Sequence, residues 1–504
     1  MRRFVGLCAV AALLALAGCQ APTQAPELPD RPGNDPGMSE TPALDPSEDV
    51  VGWENGVWYD DPIPIEDSDG LNDTELGLVV NRSMARVEHL RQGEFSRTVP
   101  VEVISRAEFA DRVGGDGGNT SRDRAKRLFK NTIFEALFLI GEDESAIDRR
   151  EENTQSSVLG YYAPAKNRIT IVSDTDTVVI DERTLAHELV HAFQWEHYRM
   201  RRLGGWTIEK RNAGSAVIEG VARYLDGHYA DRCGDVWDCV MPPSRDAGDP
   251  DDDTEDGNDA EDENDDGGEI HRGLYVLQYF PYSDGPVLVD RMRSEGGWDA
   301  VAGLYANPPE STEQVIDPDE YRSDTPANIT VTNRSDEEWT RIQPPRGGPM
   351  FESVGQPGLT AMFAYPAYDD RRSDPVLPKS AFMNREDGTP NRTDPFEYDA
   401  VPVSGWDGDR MYVYANASNA TGYVWRLAWD SAADAREFAD AYRRLLRYWG
   451  GERSDGVWRI PEEESGFGDA FAIEVDGSTV TIVNGPTAED LDGIHGPVAS
   501  RESD

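Results

Sequence analysis

The sequence predicts an α+β fold, and three observations support this prediction. Long segments carry apolar residues at helical spacing, short segments between them alternate as strands do, and the last third combines two hairpin patterns with one helix. The chain has 504 residues, 38% of them hydrophobic, which is enough for packed cores. We expect a larger domain at 49–330, a smaller α+β domain at 345–490 and a tail at 491–504.

Helices dominate the predicted larger domain. In the first of them, Leu76, Val80, Met84, Val87 and Leu90 recur at the spacing of one helical face. Apolar residues at helical spacing also identify the other helices, and alternation of apolar and polar residues identifies the strands. Helices are predicted at 74–91, from 106, at 123–139, 182–199 and 213–229, and strands at 99–104 and 168–172.

The smaller domain is predicted to begin after a Pro- and Asp-rich stretch at about 317–350, whose composition indicates a domain boundary. Segments 410–414 and 423–429 predict one hairpin. Segments 470–475 and 479–483 predict a second hairpin around Asp476-Gly477, a dipeptide that suits a tight turn. An amphipathic helix is predicted between them at 433–449.

The first nineteen residues predict a lipoprotein signal peptide. Arg2 and Arg3 precede an apolar run at 4–16, and Leu16-Ala17-Gly18-Cys19 then forms a lipobox. The alternative is an ordinary signal peptide with a chance cysteine. Lipidation of Cys19 would anchor the exported protein to the outer face of the cytoplasmic membrane, at the cell surface. The Pro-, Thr- and acid-rich segment at 20–48 is predicted to be a disordered tether.

The composition is strongly acidic, with a net charge of −48 and only five lysines. This composition is typical of halophilic proteins, because at about 1 M salt the Debye length falls to about 3 Å and surface carboxylates scarcely repel one another. No basic stretch compensates for the acidity, which excludes nucleic acid as a partner.

Three further features concern the exported chain. Cys233 and Cys239 form a close pair, which predicts a disulfide in an oxidising compartment. The acidic segment at 246–268 predicts a disordered insertion, although its residues 252–263 meet part of a calcium-loop pattern. Eight Asn-x-Ser/Thr sequons make a glycoprotein possible. They start at Asn72, Asn81, Asn119, Asn328, Asn333, Asn391, Asn416 and Asn419.

The segment His187-Glu188-Leu189-Val190-His191 carries the clearest chemical signal. Residues four apart on a helix lie about 40° apart around its axis and one turn along it, so both imidazoles can bind one ion. Glu188 is offset by one residue, which suits a base beside metal-activated water. The flanking residues are uncharged, as expected of a buried helix: Thr184, Leu185, Ala186, Ala192 and Phe193.

A third metal ligand is needed, and two candidates follow the motif. His197 has the spacing that metzincins use, but Gln194 stands where their turn has glycine, so a continuing helix would carry His197 away from the ion. Glu219 lies among apolar residues on the next predicted helix, where a carboxylate is costly to bury unless it is paired or metal-bound. We favour Glu219. Its alternative role is an ion pair with an arginine such as Arg223.

These motifs resemble gluzincins, the HExxH peptidases with a downstream glutamate ligand, and the chain is similar to uncharacterised haloarchaeal HExxH surface lipoproteins. The resemblance covers roughly residues 70–325, and its later motifs extend into the C-terminal part. The segments that carry it are GYY at 160–162 with NRITIV at 167–172, LAHELVHAFQ at 185–194 with EGVA at 219–222, GW at 297–298, PPESTEQ at 308–314, PDEY at 318–321, GWDGDR at 405–410 and LAWDS at 427–431.

The resemblance implies a zincin-like catalytic domain with an active-site helix and an edge strand. It also implies Zn²⁺ held by His187, His191 and Glu219, with Glu188 as the general base that hydrolyses peptide bonds in peptide or protein substrates. An oxyanion donor is expected among His228, Tyr224 and Tyr282, and core packing is the alternative role of Tyr282.

The sequence departs from the thermolysin-like pattern at Arg223, where that pattern has an aspartate that orients a histidine. Asp226 is a possible replacement, but we expect the helix to carry it to another face. The alternative function is a non-catalytic zinc-containing surface or adhesion lipoprotein.

Overall fold

The fold belongs to the α+β class. The computed structural model describes residues 46, 48–65, 70–113, 121–173, 178, 180–241, 270–342, 348–369, 372–386, 388–461 and 466–496. Within these ranges, no helix combines the length and the apolar content that spanning a bilayer requires. Cys19, most of the predicted tether and the whole acidic insertion with its calcium-loop-like window lie outside the described residues.

The elements are numbered in chain order. The strands are β1 (Trp53–Glu54), β2 (Val57–Trp58), β3 (Val101–Ser105), β4 (Gly160–Ala163), β5 (Arg168–Ser173), β6 (Thr340–Arg341), β7 (Arg385–Glu386), β8 (Thr389–Pro390), β9 (Trp406–Ala415), β10 (Thr421–Trp429), β11 (Glu452–Ser454), β12 (Val457–Arg459), β13 (Ala470–Asp476) and β14 (Thr479–Gly485). The helices are α1 (Asp73–Arg91), α2 (Arg106–Val113), α3 (Ser121–Ala136), α4 (Ala146–Ser157), α5 (Glu182–His197), α6 (Ile208–Arg232), α7 (Arg272–Ala306), α8 (Glu313–Ile316), α9 (Gly355–Ala364), α10 (Lys379–Phe382), α11 (Ala432–Tyr448) and α12 (Asp490–His495).

The chain divides into two compact units that interleave along the sequence. The first unit comprises 1–114, 152–198 and 221–269, and the second comprises 115–151, 199–220 and 270–504. The predicted boundary at about 330–345 therefore lies inside the second unit. Helix α6 contributes to both units, because the division falls between its residues 220 and 221.

A small mixed sheet organises the first unit. Its strand order is β3-β5-β4, with β3 parallel and β4 antiparallel to the central β5. Strand β4 is an edge strand that lies against α5. A Cβ atom built on Gly160 would be 3.3 Å from Cγ of Glu188 and 3.3 Å from Cγ2 of Thr184. Glycine at this position therefore lets the sheet edge approach the helix that carries the HExxH motif.

The N-terminal end of α5 is held by a buried network around Glu182, which is fully buried. Its carboxylate accepts hydrogen bonds from Arg82 Nη2 at 2.9 Å, Arg86 Nη1 at 2.6 Å, Tyr229 Oη at 2.5 Å and the Val240 amide at 2.8 Å. Two guanidinium groups and further donors compensate for the burial of this charge. The network connects α5 to α1, to the C-terminal part of α6 and to the segment that follows the cysteine pair.

A seven-stranded antiparallel sheet organises the second unit, in the order β11-β12-β13-β14-β10-β9-β6. Successive residues of β10 point to opposite faces. Trp425 meets Phe438 of α11, with ring centroids 6.5 Å apart. Its neighbour Val424 belongs to a core cluster with Leu491 and Ile494 of α12. Helices thus cover both faces of the sheet.

The structure confirms the predicted helices and strands as elements, with small shifts at their ends. The sequence predicted no helix at α4 or α7. Pro281 and Pro286 lie inside α7, and Gly296 and Gly297 leave helical geometry, so α7 is two helices joined at a kink. These residues explain why the sequence did not predict α7, because proline and glycine interrupt the apolar spacing by which a helix is recognised.

The predicted disulfide between Cys233 and Cys239 is present, with Cα atoms 5.4 Å apart. It closes a short loop directly after α6. Trp237 lies inside this loop and packs against Tyr229 of α6, with ring centroids 5.0 Å apart. The disulfide therefore stabilises the loop that runs from α6 toward the Glu182 network.

Candidate metal centre

Helix α5 brings the two motif histidines together. Asp181 caps its N-terminus by accepting a hydrogen bond from the Arg183 amide, and the helix continues without interruption through the motif. The rings of His187 and His191 lie 4.8 Å apart, centroid to centroid. One ligand atom from each of His187, Glu188 and His191 lies within 4.8 Å of the others. This grouping could hold a metal ion.

Hydrogen bonds set the orientation of both imidazoles. Nδ1 of His187 lies 2.9 Å from Oδ2 of Asp226, and Nδ1 of His191 lies 3.0 Å from Oε1 of Gln194. Because both partners are acceptor oxygens, each Nδ1 carries the proton and each Nε2 carries the lone pair. This tautomer is the one in which histidine binds a metal through Nε2.

The position of Asp226 corrects the sequence-based expectation that it faces elsewhere. Asp226 lies seven residues after Glu219 on α6, and seven residues complete about 700°, only about 20° short of two turns. The two carboxylates therefore share one face of α6. Arg223 Nη1 donates to the other oxygen of Asp226, Oδ1, at 3.3 Å. Asp226 is thus the carboxylate that contacts His187, and Arg223 in turn contacts Asp226.

Glu219 is only 3% exposed and lies in the middle of α6. Its burial agrees with the reasoning that selected it from the sequence. Among the described residues, the grouping whose ligand atoms lie within 4.8 Å of one another comprises His187, Glu188 and His191 and does not include Glu219. Its role as the third metal ligand stays a prediction.

His197 has another partner. Its Nε2 lies 2.9 Å from the backbone oxygen of Glu94, and its ring packs on Phe193 with centroids 4.0 Å apart. An imidazole nitrogen that donates to a carbonyl oxygen has no lone pair available for a metal. This contact supports the sequence argument that preferred Glu219 to His197.

Two of the candidate oxyanion donors lie on α6 and the third lies on α7. Tyr224 and His228 pack on each other with ring centroids 4.5 Å apart. Each lies two residues from Asp226, which places it roughly 160° around α6 from the face that contacts His187. Tyr282 is buried in α7, where its ring lies 5.8 Å from that of Tyr279.

Sequence reasoning missed Gln194 and misplaced Asp226, although both had a signal. Gln194 follows His191 by three residues, a spacing at which side chains on one helix meet. Asp226 follows Glu219 by one heptad, which keeps both on one face. Counting helical positions from the proposed ligands would have identified both residues.

Comparison with known proteins identifies one matched region. The family described as "Domain of unknown function (DUF8575)" matches residues 341–495. This region runs from the end of β6 to α12 and contains the large sheet of the second unit, but it is less than a third of the chain. No curated protein matches the chain, and no solved structure matches it.

Proposed function

We propose that the protein is a zinc-dependent peptidase in which His187, His191 and Glu219 hold the metal and Glu188 is the general base. One observation carries the proposal. Acceptor oxygens of Asp226 and Gln194 lie at hydrogen-bond distance from the two Nδ1 atoms, and one ligand atom from each of His187, Glu188 and His191 lies within 4.8 Å of the others. Zinc accepts imidazole nitrogen and carboxylate oxygen as ligands, so the donor set fits this ion.

The carboxylate of Asp226 contributes to this fit. An aspartate bonded to Nδ1 holds the imidazole ring in place and increases the basicity of Nε2, and partners of this kind typically affect metal affinity by about 10–100-fold. Burial strengthens the interaction, because His187 is 4% exposed and Asp226 is 4% exposed. Arg223 in turn neutralises the second oxygen of Asp226.

Zinc, when bound, supplies a Lewis acid that polarises a carbonyl group and acidifies water. Glu188 accepts the proton of the attacking water and returns it to the nitrogen of the leaving amine. Its position on α5 suits this role, since it lies between two histidines whose rings share one side of the helix. The carboxylate is fully buried.

An extended peptide is the substrate that the neighbouring strand favours. Strand β4 is the edge of its sheet, and Gly160 lies beside Glu188. A peptide that adds to such an edge is held by main-chain hydrogen bonds. Its backbone would then run along the helix that carries the general base, which favours peptide bonds as the reacting groups.

A second candidate is a zinc-containing surface protein without catalysis. Burial favours it, because His187, Glu188 and His191 are 4%, 0% and 3% exposed. A metal enclosed in this way would stabilise the fold outright. The two candidates differ in hydrolysis, since both require bound zinc.

The substitution Glu188→Gln separates them. We expect the variant to keep zinc and to lose peptide hydrolysis by about a hundredfold or more, because general-base catalysis contributes about 10²–10⁴-fold. Zinc content is measured by elemental analysis and hydrolysis on a casein substrate, in molar NaCl. Glu151→Gln, at an exposed position of α4, is the control. Equal hydrolysis by Glu188→Gln and the wild type would exclude the peptidase.

The third ligand is tested by paired alanine variants. We expect Glu219→Ala to lose zinc and His197→Ala to retain it, because His197 Nε2 is bonded to a backbone oxygen. Elemental analysis of both purified variants, with circular dichroism as the check on folding, measures this difference. The reverse result would favour a metzincin-like ligand set.

We also propose that the protein is exported and anchored through Cys19, in an organism that grows in high salt. The lipobox and the acidic composition support this proposal. We expect Cys19→Ser to move the protein from the membrane fraction to the soluble fraction, as measured by immunoblotting. Retention of the variant in the membrane fraction would contradict anchoring at Cys19.

A further inference from the structure

We propose that Glu313, Glu320 and Asp324 form a binding site for a divalent cation of the calcium type in the second unit. One carboxylate oxygen from each lies within 4.8 Å of the others. All the donors are carboxylate oxygens, which are the ligands that Ca²⁺ prefers. We call these residues the three-carboxyl cluster. The cluster shares no residue with the candidate zinc centre, and the proposal does not depend on peptidase activity.

The local backbone brings the three carboxylates together. Glu313 begins the short helix α8, and the chain then turns back through two successive turns. The Glu320 amide donates to the Asp317 carbonyl at 3.0 Å, and the Asp324 amide donates to the Glu320 carbonyl at 3.0 Å. Gln314 Nε2 closes the turn by donating to the Asp324 carbonyl at 2.6 Å. The cluster is therefore held by hydrogen bonds that do not involve its own carboxylates.

Buried carboxylate oxygens point to a ligand. Glu313 is only 7% exposed. Its Oε2 and the Oδ2 of Asp324 are buried, and neither accepts a hydrogen bond from any residue in the described part of the chain. An ionised carboxylate in such a position costs several kcal/mol of desolvation unless a cation compensates for it. Two carboxylates with such oxygens in one cluster need either a cation or a proton.

The surrounding charge is also negative. The charges of Asp407 and Asp430 raise the pKa of Glu313, as do those of Glu320 and Asp324. Burial, together with these charges, raises the pKa of Glu313 to about 9. Burial and neighbouring carboxylates also raise the pKa of Asp407 and of Asp430. A divalent cation would neutralise several of these charges at once, which a single shared proton would not.

Terbium luminescence and thermal unfolding test the site. Tb³⁺ replaces Ca²⁺ and is excited through nearby aromatic rings, and Tyr321 is adjacent to Glu320. We expect saturable Tb³⁺ binding to the full chain in 2 M NaCl, displaced by CaCl₂, because this salt screens exposed carboxylates. We also expect CaCl₂ to raise the melting temperature with saturation, as binding to the folded state requires.

Three variants make the test specific. Glu313→Gln and Glu320→Gln should weaken Tb³⁺ binding roughly tenfold or more and remove the calcium-dependent rise in melting temperature, because each removes one ligand charge. Glu437→Gln, at an exposed position of α11, should behave like the wild type. Glu320 is half-buried, so its variant provides a readout if Glu313→Gln does not fold.

Two results would overturn the proposal. One is a wild-type melting temperature that does not respond to CaCl₂ while Glu313→Gln is at least as stable as the wild type. This result would show that a proton neutralises the cluster. The other is Tb³⁺ binding that Glu437→Gln weakens as much as Glu320→Gln does, which would show nonspecific binding to the acidic surface.

Discussion

Asp226 and Gln194 each determine which nitrogen of a histidine faces the candidate metal centre. A neutral histidine that binds a metal through one nitrogen carries its proton on the other, and an acceptor bonded to that proton fixes the tautomer and the ring orientation. Oxygens of these two residues lie 2.9 and 3.0 Å from the Nδ1 atoms of His187 and His191. Residues outside the HExxH pentapeptide therefore orient both of its imidazole rings.

At this scale we predict that Asp226→Asn lowers zinc affinity by about 10–100-fold, because the amide no longer supplies a charged acceptor to His187 Nδ1. Competition with a chromophoric chelator measures the affinity. Asp235→Asn, at an exposed position, is the control. Wild-type affinity in Asp226→Asn would show that the contact has no role in metal binding.

Helices α6 and α7 approach each other at two glycines in the second unit. A Cβ built on Gly220 would lie 2.5 Å from the carbonyl carbon of Gly285, and one built on Gly285 would lie 2.9 Å from Cα of Gly220. Backbone atoms cannot rotate away as a flexible side chain can. Glycine at both positions therefore permits this crossing, and Gly220 is adjacent to Glu219 in sequence.

At the scale of these helices we predict that Gly220→Ala destabilises the protein by about 1–3 kcal/mol or more, because the added methyl group forces the two backbones apart. Gly227→Ala is a matched control on the same helix, since a Cβ there would meet no heavy atom within 4 Å. The control should be neutral or should stabilise by up to about 1 kcal/mol. Guanidinium unfolding measures both, and equal stability of the two variants would contradict the close crossing.

Over the whole molecule, the acidic composition extends into the interior. In the first unit, burial is the main cause that raises the pKa of Glu54 to about 8, that of Glu88 to about 9 and that of Glu94 to about 7. Glu54 and Glu88 also share a side-chain hydrogen bond. These carboxyls hold protons in the folded state at pH values where an unfolded chain would release them.

This arrangement predicts how stability depends on pH. A carboxyl whose pKa is raised on folding contributes stability below its unfolded value, near 4.5 for Glu54, and this stability is lost as pH rises through about 8. We therefore expect the unfolding free energy to fall between pH 5 and pH 9. The unfolding free energy of Glu54→Gln should fall less over this range. At the alkaline end the variant should be more stable than the wild type by on the order of 1 kcal/mol.

Thermal unfolding at pH 5, 7 and 9 in constant NaCl measures this dependence. Glu151→Gln, at an exposed position, should follow the wild type. If the wild-type and Glu54→Gln curves run parallel across the range, then the buried carboxyl of Glu54 does not contribute to the pH dependence.

Much of the local structure was predictable, because its signals are local. The spacing of apolar residues predicted α1, α5 and α11, and Asp476-Gly477 predicted the turn between β13 and β14. Helix α7 was not predictable in this way. Its two prolines and its kink interrupt the local pattern by which a helix is identified in a sequence.

The sequence by itself determined that His187 and His191 share a helical face, that Glu188 lies between them, and that Cys233 and Cys239 can pair. These properties depend on a few consecutive turns of backbone or on a short loop. Only the tertiary structure decided that Asp226 contacts His187, that Gly160 of β4 lies beside Glu188, and that the three-carboxyl cluster closes around Glu313. Such contacts join side chains whose directions depend on how helices, strands and turns pack, and periodicity along the chain does not encode that packing.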